Sequence, residues 1–487
     1  MMEKKRDLLI PYIIITFLLV FSGWFIPPIG VITPLGMKYI GIFLGVIFAW
    51  TATNSLIWPS ILALVAVGFA SGTPVTSVLA TCFGNELILF MLFILVFIGA
   101  IEELGLVDFF ATWLMGRSFI EGRPWMLTAV ILFGTYISAA IVNEYAAIIV
   151  FWGILYSIAH KVGFKPHNKY MVLMIIAIPM IAINLGGAAF PFKVMSMFFI
   201  KMYTDLSVQA GNLAGTSINL GSYTVFAIAM GVGAILVYML CMRFIFRVDT
   251  TPLRDLKLEK GKEPLKLSKR QKYGMFFLML MVIILLLSDV LPDGLMLKSF
   301  LQLLGKPGTM LILIMIMYWV KVDGKPMIDF QSASKSIAWE MIFMFAFITP
   351  FSGMLVGEGT GVQDMLVSLL SPVLSGTNPL TFALFILVVS TILTNFLNNG
   401  VVAVIFMGIM IPVGMSMDIN TLPIFLILIF TSQLAYLTPA GSAPAAMVFS
   451  QTKWLDIKDI YKVIPIILVV LFVFFFAVGY PLATILF

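Results

Sequence analysis

Long apolar stretches separated by short polar clusters dominate this chain. About 20 consecutive apolar residues cross a bilayer as an α-helix, and shorter stretches are typical of broken or re-entrant helices. The stretches with this character are Leu8–Phe25, Ile40–Thr51, Ile57–Ala70, Leu87–Ala100, Trp125–Val142, Tyr145–Ala159, Met171–Ile183, Tyr223–Phe246, Tyr273–Leu287, Thr309–Trp319, Trp339–Leu355, Leu380–Leu393, Val401–Met415, Leu422–Leu437 and Ile464–Phe487. Since several are too short for a full span, the pattern predicts an all-α polytopic membrane protein with about a dozen spans plus re-entrant hairpins.

Two of the polar clusters are alike in position and composition. The first is Ser138–Glu144 and the second is Thr394–Gly400, and each interrupts an apolar region. Polar backbone at bilayer depth is tolerated only where it is buried in protein or lines a water-filled cavity. Paired breaks in corresponding places of two halves are the best sequence indication of the binding site of a secondary transporter. The clusters therefore predict helix breaks at Asn143 and Asn399.

The features that precede these clusters also occur twice. An acidic residue opens an apolar run at Glu86 and again at Glu340. The distance along the chain from Glu86 to Asn143 nearly equals that from Glu340 to Asn399. This spacing predicts an internal repeat, and the transporter pattern suggests that the two copies are inverted.

A segment rich in small residues and proline follows in each half, at Asn184–Lys193 and at Thr438–Pro444. Small residues let backbones approach closely, and proline removes a hydrogen-bond donor and ends a helix. Carbonyl groups freed in this way can coordinate a cation, whereas helix N-termini attract anions.

Composition and charge agree with a membrane protein and give its orientation. The chain is 61% hydrophobic and 11% charged, whereas a soluble domain has about 25% charged residues. Basic residues precede the first span at Lys4–Arg6, and more of them occupy the hydrophilic segment 249–272. The positive-inside rule predicts that both face the cytoplasm of a cell, in an inner or plasma membrane. The net charge of +6 therefore indicates topology and lipid contact, and no nucleic-acid partner is expected.

These patterns divide the chain into five parts. They are N-terminal scaffold helices (1–84), a first transport repeat (85–248), a basic cytoplasmic linker (249–272), scaffold helices of the second half (273–334) and a second transport repeat (335–487).

The chain resembles the divalent anion:sodium symporter family of dicarboxylate and citrate carriers, within the ion transporter superfamily, as a divergent member. The resemblance covers nearly the whole chain and rests on Gly23–Pro28, Glu102–Leu106 and the two repeats. Of the Ser-Asn-Thr signature at each helix break, only the Asn is kept, as Asn143 and Asn399. The resemblance implies inverted repeats, an elevator-type transport motion and a homodimer with its interface near 34–70 and 273–321.

The resemblance also implies two sodium sites and a substrate site. The residues that match sodium-site positions are Ser138, Asn143 and Gly187 in the first half, and Thr394, Asn399 and Ala440 in the second. The residues expected to contact the substrate are Asn143, Glu144, Lys193, Asn399, Gly400 and Ser442. An amide can present its oxygen to a cation and its NH₂ group to a carboxylate. No cofactor is expected beyond sodium as a coupling ion.

Two charged residues depart from the family pattern. Glu144 stands where the family has a Thr that contacts the substrate carboxylate, and Lys193 lies close to the Gly-Gly turn. An ionisable residue in a membrane domain is a functional hypothesis by default. Three interpretations follow: a buried structural ion pair, a lysine that replaces a sodium ion with Glu144 as its partner, or a proton-coupling role for Glu144.

These features favour a carrier over a channel or an enzyme. A channel needs a continuous polar path, whereas paired broken helices suit an alternately accessible site. A membrane enzyme would need a histidine cluster, a nucleophile with its base or an acidic metal motif, and His160 and His167 are the two histidines of the chain. The sequence therefore predicts secondary active transport of a small organic anion, a di- or tricarboxylate, coupled to sodium or running as exchange. A proton-coupled carrier of another solute is the alternative.

Overall fold

Helices form most of the described part of this protein in a computed structural model. The structure describes residues 2–53, 55–212, 218–254, 256, 266–292, 294–357, 359–365, 368, 378–439 and 441–487. Among these, the strands are a two-residue antiparallel pair, β1 (Lys321–Val322) and β2 (Lys325–Pro326).

The helices of the first half are α1 (Met2–Ser22), α2 (Pro34–Thr53), α3 (Ile57–Ser71), α4 (Val75–Phe83), α5 (Glu86–Glu102), α6 (Leu106–Met115), α7 (Pro124–Ile141), α8 (Glu144–Val162), α9 (Lys169–Pro179), α10 (Val194–Gln209) and α11 (Leu220–Leu240). Those of the second half are α12 (Lys269–Val290), α13 (Met296–Trp319), α14 (Phe330–Ala333), α15 (Trp339–Val356), α16 (Pro379–Leu393), α17 (Asn399–Ser416), α18 (Leu422–Thr431), α19 (Ala443–Phe449) and α20 (Ile457–Leu486). Short 3₁₀ turns occupy Ser118–Ile120, Thr251–Leu253 and Ser334–Ser336, and π-helices extend α9 and α11 over Met180–Gly186 and Cys241–Ile245.

Many of these helices can cross a membrane. Within the described ranges, eight are long and apolar enough, and the number rises to ten if each of two bent helix pairs is one span. The first pair, α4 and α5, is bent by 57° at its break. The second pair joins the helical segment Phe330–Ser336 to α15. The chain is thus a multi-pass, all-α membrane protein, as the apolar pattern predicts.

Each polar cluster contains a helix break: the first includes Asn143 as predicted, whereas the second ends just before Asn399, which is the first residue of α17. Two residues, Val142 and Asn143, separate α7 from α8, and the stretch 394–398 separates α16 from α17. The helices that open the corresponding runs begin at Glu86 and Trp339.

The structure divides into two compact units, each of which takes segments from both halves of the chain. Unit 1 consists of Met1–Leu92, Phe198–Ile218 and Ala338–Ser432. Its core contains close aromatic pairs: the ring centroids of Phe198 and Phe345 are 4.1 Å apart. Those of Tyr203 and Phe425 are 4.3 Å apart. These pairs fix α10 against α15 and α18, and Thr394 and Asn395 of the break before α17 are also buried.

Unit 2 consists of Phe93–Met197, Asn219–Ile337 and Gln433–Phe487. Helix α9 is its centre, because every residue from Tyr170 to Pro179 is buried. The wider π-helix begins immediately after Pro179. A proline in a helix disrupts the regular hydrogen-bond ladder, and π segments are frequent at functional sites.

Candidate functional site

The break between α7 and α8 brings Glu144 and Lys193 into direct contact. Lys193 Nζ lies 2.7 Å from Glu144 Oε1, and it donates a hydrogen bond to Ala139 O at 2.9 Å. The lysine side chain is 10% exposed and the glutamate side chain 23%. This is a largely buried ion pair whose ammonium group has two good partners, as a buried charge requires.

Helix ends make this position favourable for both charges. Ala139 belongs to the last turn of α7, where carbonyl groups lack intrahelical partners and a cation is stabilised. Glu144 is the first residue of α8, where the partial positive charge of the helix N-terminus stabilises a carboxylate. Lys193 therefore joins the end of one helix to the start of the next.

Asn143 caps α8 at this break. Its backbone is extended, and its Oδ1 accepts hydrogen bonds from the amides of Tyr145 at 2.8 Å and Ala146 at 3.0 Å. An N-cap of this kind contributes about 1 kcal/mol to helix stability. Because Oδ1 already accepts two hydrogen bonds, the Nδ2 group is the part of Asn143 best suited to meet an anionic ligand.

The glycine turn after the π-helix lies against the same break. A Cβ atom on Gly186 would be 2.6 Å from Ala139 Cβ, so only glycine allows this approach. A Cβ atom on Gly187 would be 3.5 Å from Glu144 Oε1. The carbonyl of Gly187 accepts a hydrogen bond from Ser196 Oγ at 3.3 Å. The predicted first-half residues Asn143, Glu144, Gly187 and Lys193 thus belong to one local cluster.

Two buried polar groups near this cluster have unused hydrogen-bonding capacity. Ser138 Oγ and Asn184 Nδ2 have no hydrogen-bond partner among the described residues. Asn184 lies in the π-helix, and its Oδ1 accepts from Tyr436 OH at 3.3 Å. Leaving a buried polar group unpaired costs about 1–3 kcal/mol. The assignment of Ser138 to a sodium site stays a prediction. Asn184 is not among the site residues that the sequence predicts. Its position just before the Gly-Gly turn could have indicated it as a candidate.

Oxygen atoms converge at the second break. Thr394 is fully buried, and its Oγ1 lies 3.0 Å from Asn399 Oδ1 and 2.5 Å from Ser432 O. One hydroxyl hydrogen can serve only one of these acceptors at a time. Hydroxyl, amide and carbonyl oxygens are ligands that hard cations prefer. The sequence predicts Thr394 and Asn399 here, and the carbonyl of Ser432 is an addition from the fold.

Asn398, rather than Asn399, is the N-cap of α17. Its Oδ1 accepts from the amides of Gly400 at 3.0 Å and Val401 at 3.4 Å. By local role, Asn398 therefore corresponds to Asn143, and Asn399 corresponds to Glu144 as the first residue of its helix. A capping rule applied to the run Asn398-Asn399-Gly400 could have identified this assignment.

The remaining predicted residues have different environments. Gly400 lies in the first turn of α17. Ser442 caps α19: its Oγ donates to Ala435 O at 2.7 Å and accepts from the amide of Ala445 at 3.2 Å. Ala440 lies outside the described residues. The first break and Ser442 belong to unit 2, whereas the second break belongs to unit 1.

The sequence matches one protein family over most of its length. The profile described as "Citrate transporter" (CitMHS) matches residues 43–405. The chain belongs to the citrate transporter family. Both helix breaks lie within the matched region of this citrate transporter family member. Comparison with curated protein sequences gives no significant match.

The fold of this citrate transporter family member is similar to that of a solved transporter. The crystal structure of the YdaH transporter from Alcanivorax borkumensis, described as having an unusual topology, superposes with a TM-score of 0.54. The alignment covers 82% of this chain and 86% of that chain at 12% sequence identity. At this level of identity the similarity shows a shared transporter fold.

Proposed function

We propose that this protein is a secondary active transporter of citrate-like di- and tricarboxylates and a divergent member of the divalent anion:sodium symporter family. The observation that carries this proposal is the pair of helix breaks, each ending with an asparagine that caps the N-terminus of the following helix. Helix N-termini bind anions through their free amides and their dipole. Membership of the citrate transporter family supports the choice of substrate class.

The first break binds the anion without a sodium ion. Lys193 neutralises Glu144, so the glutamate does not repel an incoming carboxylate. The ammonium group has three donors, and two are used by Glu144 and Ala139. The third donor and the Nδ2 group of Asn143 are available to a substrate carboxylate. In this proposal Lys193 replaces the cation that a sodium site would supply there.

The second break binds the coupling sodium ion. Thr394 Oγ1, Asn399 Oδ1 and Ser432 O supply oxygen ligands, and hard cations bind to hydroxyl, amide and carbonyl oxygens. At an effective dielectric constant of 20, two like charges 4 Å apart repel by about 4 kcal/mol. A sodium ion is therefore disfavoured beside Lys193 and favoured at the second break. We therefore expect this protein to use fewer coupling ions than a carrier with two intact sodium sites.

We further propose that the protein works as a homodimer in the cell (inner or plasma) membrane, with a cytoplasmic N-terminus and an elevator-type motion. The basic residues at Lys4–Arg6 and in 249–272 support this orientation. We also propose that residues 85–248 and 335–487, the two transport repeats of the five-part division, are inverted copies of each other. Residues 255 and 257–265 of the basic linker lie outside the described residues.

Uptake into proteoliposomes tests the proposed function. Purified protein is reconstituted, and a panel of labelled mono-, di- and tricarboxylates is offered with an inward sodium gradient, a proton gradient or internal unlabelled substrate. We expect saturable uptake of di- or tricarboxylates, and mass spectrometry should recover them chemically unchanged. Protein-free liposomes provide the background.

The driving force separates the mechanisms. Uptake stimulated by sodium, or by internal substrate, agrees with the proposal. Uptake driven by a proton gradient and independent of sodium would instead favour Glu144 as a proton carrier. Uptake of none of the carboxylates, with transport of an unrelated solute, would contradict the substrate assignment. Substituting Lys193 by Ser should raise the sodium dependence if Lys193 replaces a sodium ion.

A further inference from the structure

A cavity in unit 2 has no residue of either helix break among its described lining residues. Its volume is about 580 Å³, which is within the range of about 300–1,000 Å³ typical of small-molecule sites. Its charged lining residues are Arg270 and Lys325, which are basic, and Glu103 and Asp329, which are acidic. The described lining thus carries two charges of each sign.

The walls of this cavity are fixed by the first turn of α12. Arg270 donates from Nη2 to Pro326 O at 2.9 Å, which attaches α12 to the β1–β2 hairpin. Gln271 donates from Nε2 to Leu104 O at 3.0 Å. This hydrogen bond attaches α12 to the residue after Glu103. A single helical turn therefore holds the wall that carries Lys325 and the wall that carries Glu103 in place.

Exposed aromatic side chains lie at this cavity. Tyr318 and Phe330 line it and are 59% and 49% exposed, and the adjacent Trp319 is 67% exposed. Tyrosine and tryptophan concentrate at the level of lipid headgroups. A ligand there would have its polar part in the cavity and its apolar part beside these rings.

We propose that this cavity binds the headgroup of phosphatidylethanolamine. The phosphate would bind to Arg270 and Lys325, since guanidinium and ammonium groups bind phosphate oxygens strongly. The primary ammonium would bind to Glu103, whose carboxylate is exposed at the cavity. Asp329 accepts a hydrogen bond from the amide of Gln331 as the cap of α14, so Glu103 is the acid better placed to serve the ligand. Charge complementarity selects a zwitterion over an anionic lipid, because an anion would leave the acids unpaired.

Native mass spectrometry of the purified full-length protein tests this assignment. The protein is titrated with phosphatidylethanolamine, phosphatidylglycerol or phosphatidylcholine. We expect phosphatidylethanolamine to bind most tightly. The trimethylated ammonium of phosphatidylcholine cannot donate hydrogen bonds to Glu103. Glycerophosphoethanolamine, which has the same headgroup without acyl chains, is added as a soluble competitor.

Two variants separate the charges. Lys325→Gln should weaken binding of phosphatidylethanolamine and phosphatidylglycerol alike, by about tenfold, the effect of losing about 1.4 kcal/mol. Glu103→Gln should weaken the binding of phosphatidylethanolamine to the same degree. The binding of phosphatidylglycerol should stay the same or become tighter. Lys321→Gln and Asp323→Asn are matched controls on the same hairpin, outside the cavity lining. They should not change the binding of either lipid.

Three outcomes would overturn the assignment. Tighter binding of phosphatidylglycerol than of phosphatidylethanolamine to the unaltered protein would show an anionic-lipid surface instead. Equal effects of the control and cavity variants would show that the cavity is not the site. Equal affinity for glycerophosphoethanolamine and for the lipid would show a soluble ligand. None of these outcomes depends on transport, so this inference and the proposed function can fail independently.

Discussion

The ion pair between Lys193 and Glu144 should be an energetically coupled unit. Replacing Lys193 by Met removes the ammonium group and leaves the Glu144 carboxylate in a mostly buried position. It also removes the hydrogen bond to Ala139 O at the end of α7. We therefore expect Lys193→Met to destabilise the protein more than the removal of both charges together.

The structure sets the size of this effect. At 2.7 Å and an effective dielectric constant of 20, the Coulomb attraction is about 6 kcal/mol before desolvation is subtracted. Breaking a fully buried pair costs about 3–5 kcal/mol, because the remaining charge has no compensation. Since Glu144 is 23% exposed and keeps some contact with water, we expect about 3 kcal/mol for Lys193→Met. The double variant Lys193→Met/Glu144→Gln should recover most of it.

A thermal-stability assay in detergent, performed on the two single variants and the double variant, measures this coupling. The pair Lys201–Asp205 on α10 is the control, because its lysine is 38% exposed whereas Lys193 is 10% exposed. A pair with a solvated lysine one helical turn from its acid is worth about 0–1 kcal/mol, so Lys201→Met should have little effect. If the effects of the two substitutions at Lys193 and Glu144 simply add, or if Lys201→Met is equally harmful, the reasoning about a buried coupled pair is wrong.

Three further predictions concern the breaks and one surface loop. Asn143→Ala should reduce the affinity for substrate, and Asn399→Ala the affinity for sodium, each by about tenfold to a hundredfold. The cap variant Asn168→Ala, which removes the same type of helix cap as Asn143→Ala at another helix, should leave uptake kinetics unchanged. Thr394→Val, which keeps the side-chain shape but removes one oxygen, should weaken sodium activation of uptake by about tenfold; unchanged sodium dependence would exclude the second break as the sodium site. The hydrogen bond to Asp459 raises the pKa of His167, so NMR titration should show a fall toward the ordinary value of about 6.5 in Asp459→Asn.

Because the pKa of His167 is raised, the stability of its loop should depend on pH. A histidine whose pKa is higher in the folded than in the unfolded state stabilises the protein fully below its unfolded pKa of about 6.5. This stabilisation is lost as the pH rises through the raised folded pKa. Proteolysis of the loop around His167 should therefore become faster above about pH 6.5, and the effect should be absent in His167→Gln. A pH-independent cleavage rate would contradict it.

The sequence by itself determined the class of protein and the places where its helices break. The lengths of the apolar runs require membrane-spanning helices, since unsatisfied backbone groups cannot face lipid. The breaks at Asn143 and at 394–398 were predictable because capping residues, glycine and small polar clusters act locally. The resemblance led to carboxylate transport as an expectation, and the family match shows the citrate transporter family.

Only the tertiary structure decided which side chains meet. The contacts of Lys193 with Glu144 and Ala139, and of Thr394 with Ser432, join residues far apart in the sequence. The contact of Asn399 with Thr394 belongs to the same packed group of oxygen atoms. The physical reason is that capping and helix breaking depend on adjacent backbone groups, whereas an ion pair or an oxygen cluster depends on how separate helices pack. Packing is set by the shapes of many side chains at once, and no short motif encodes it.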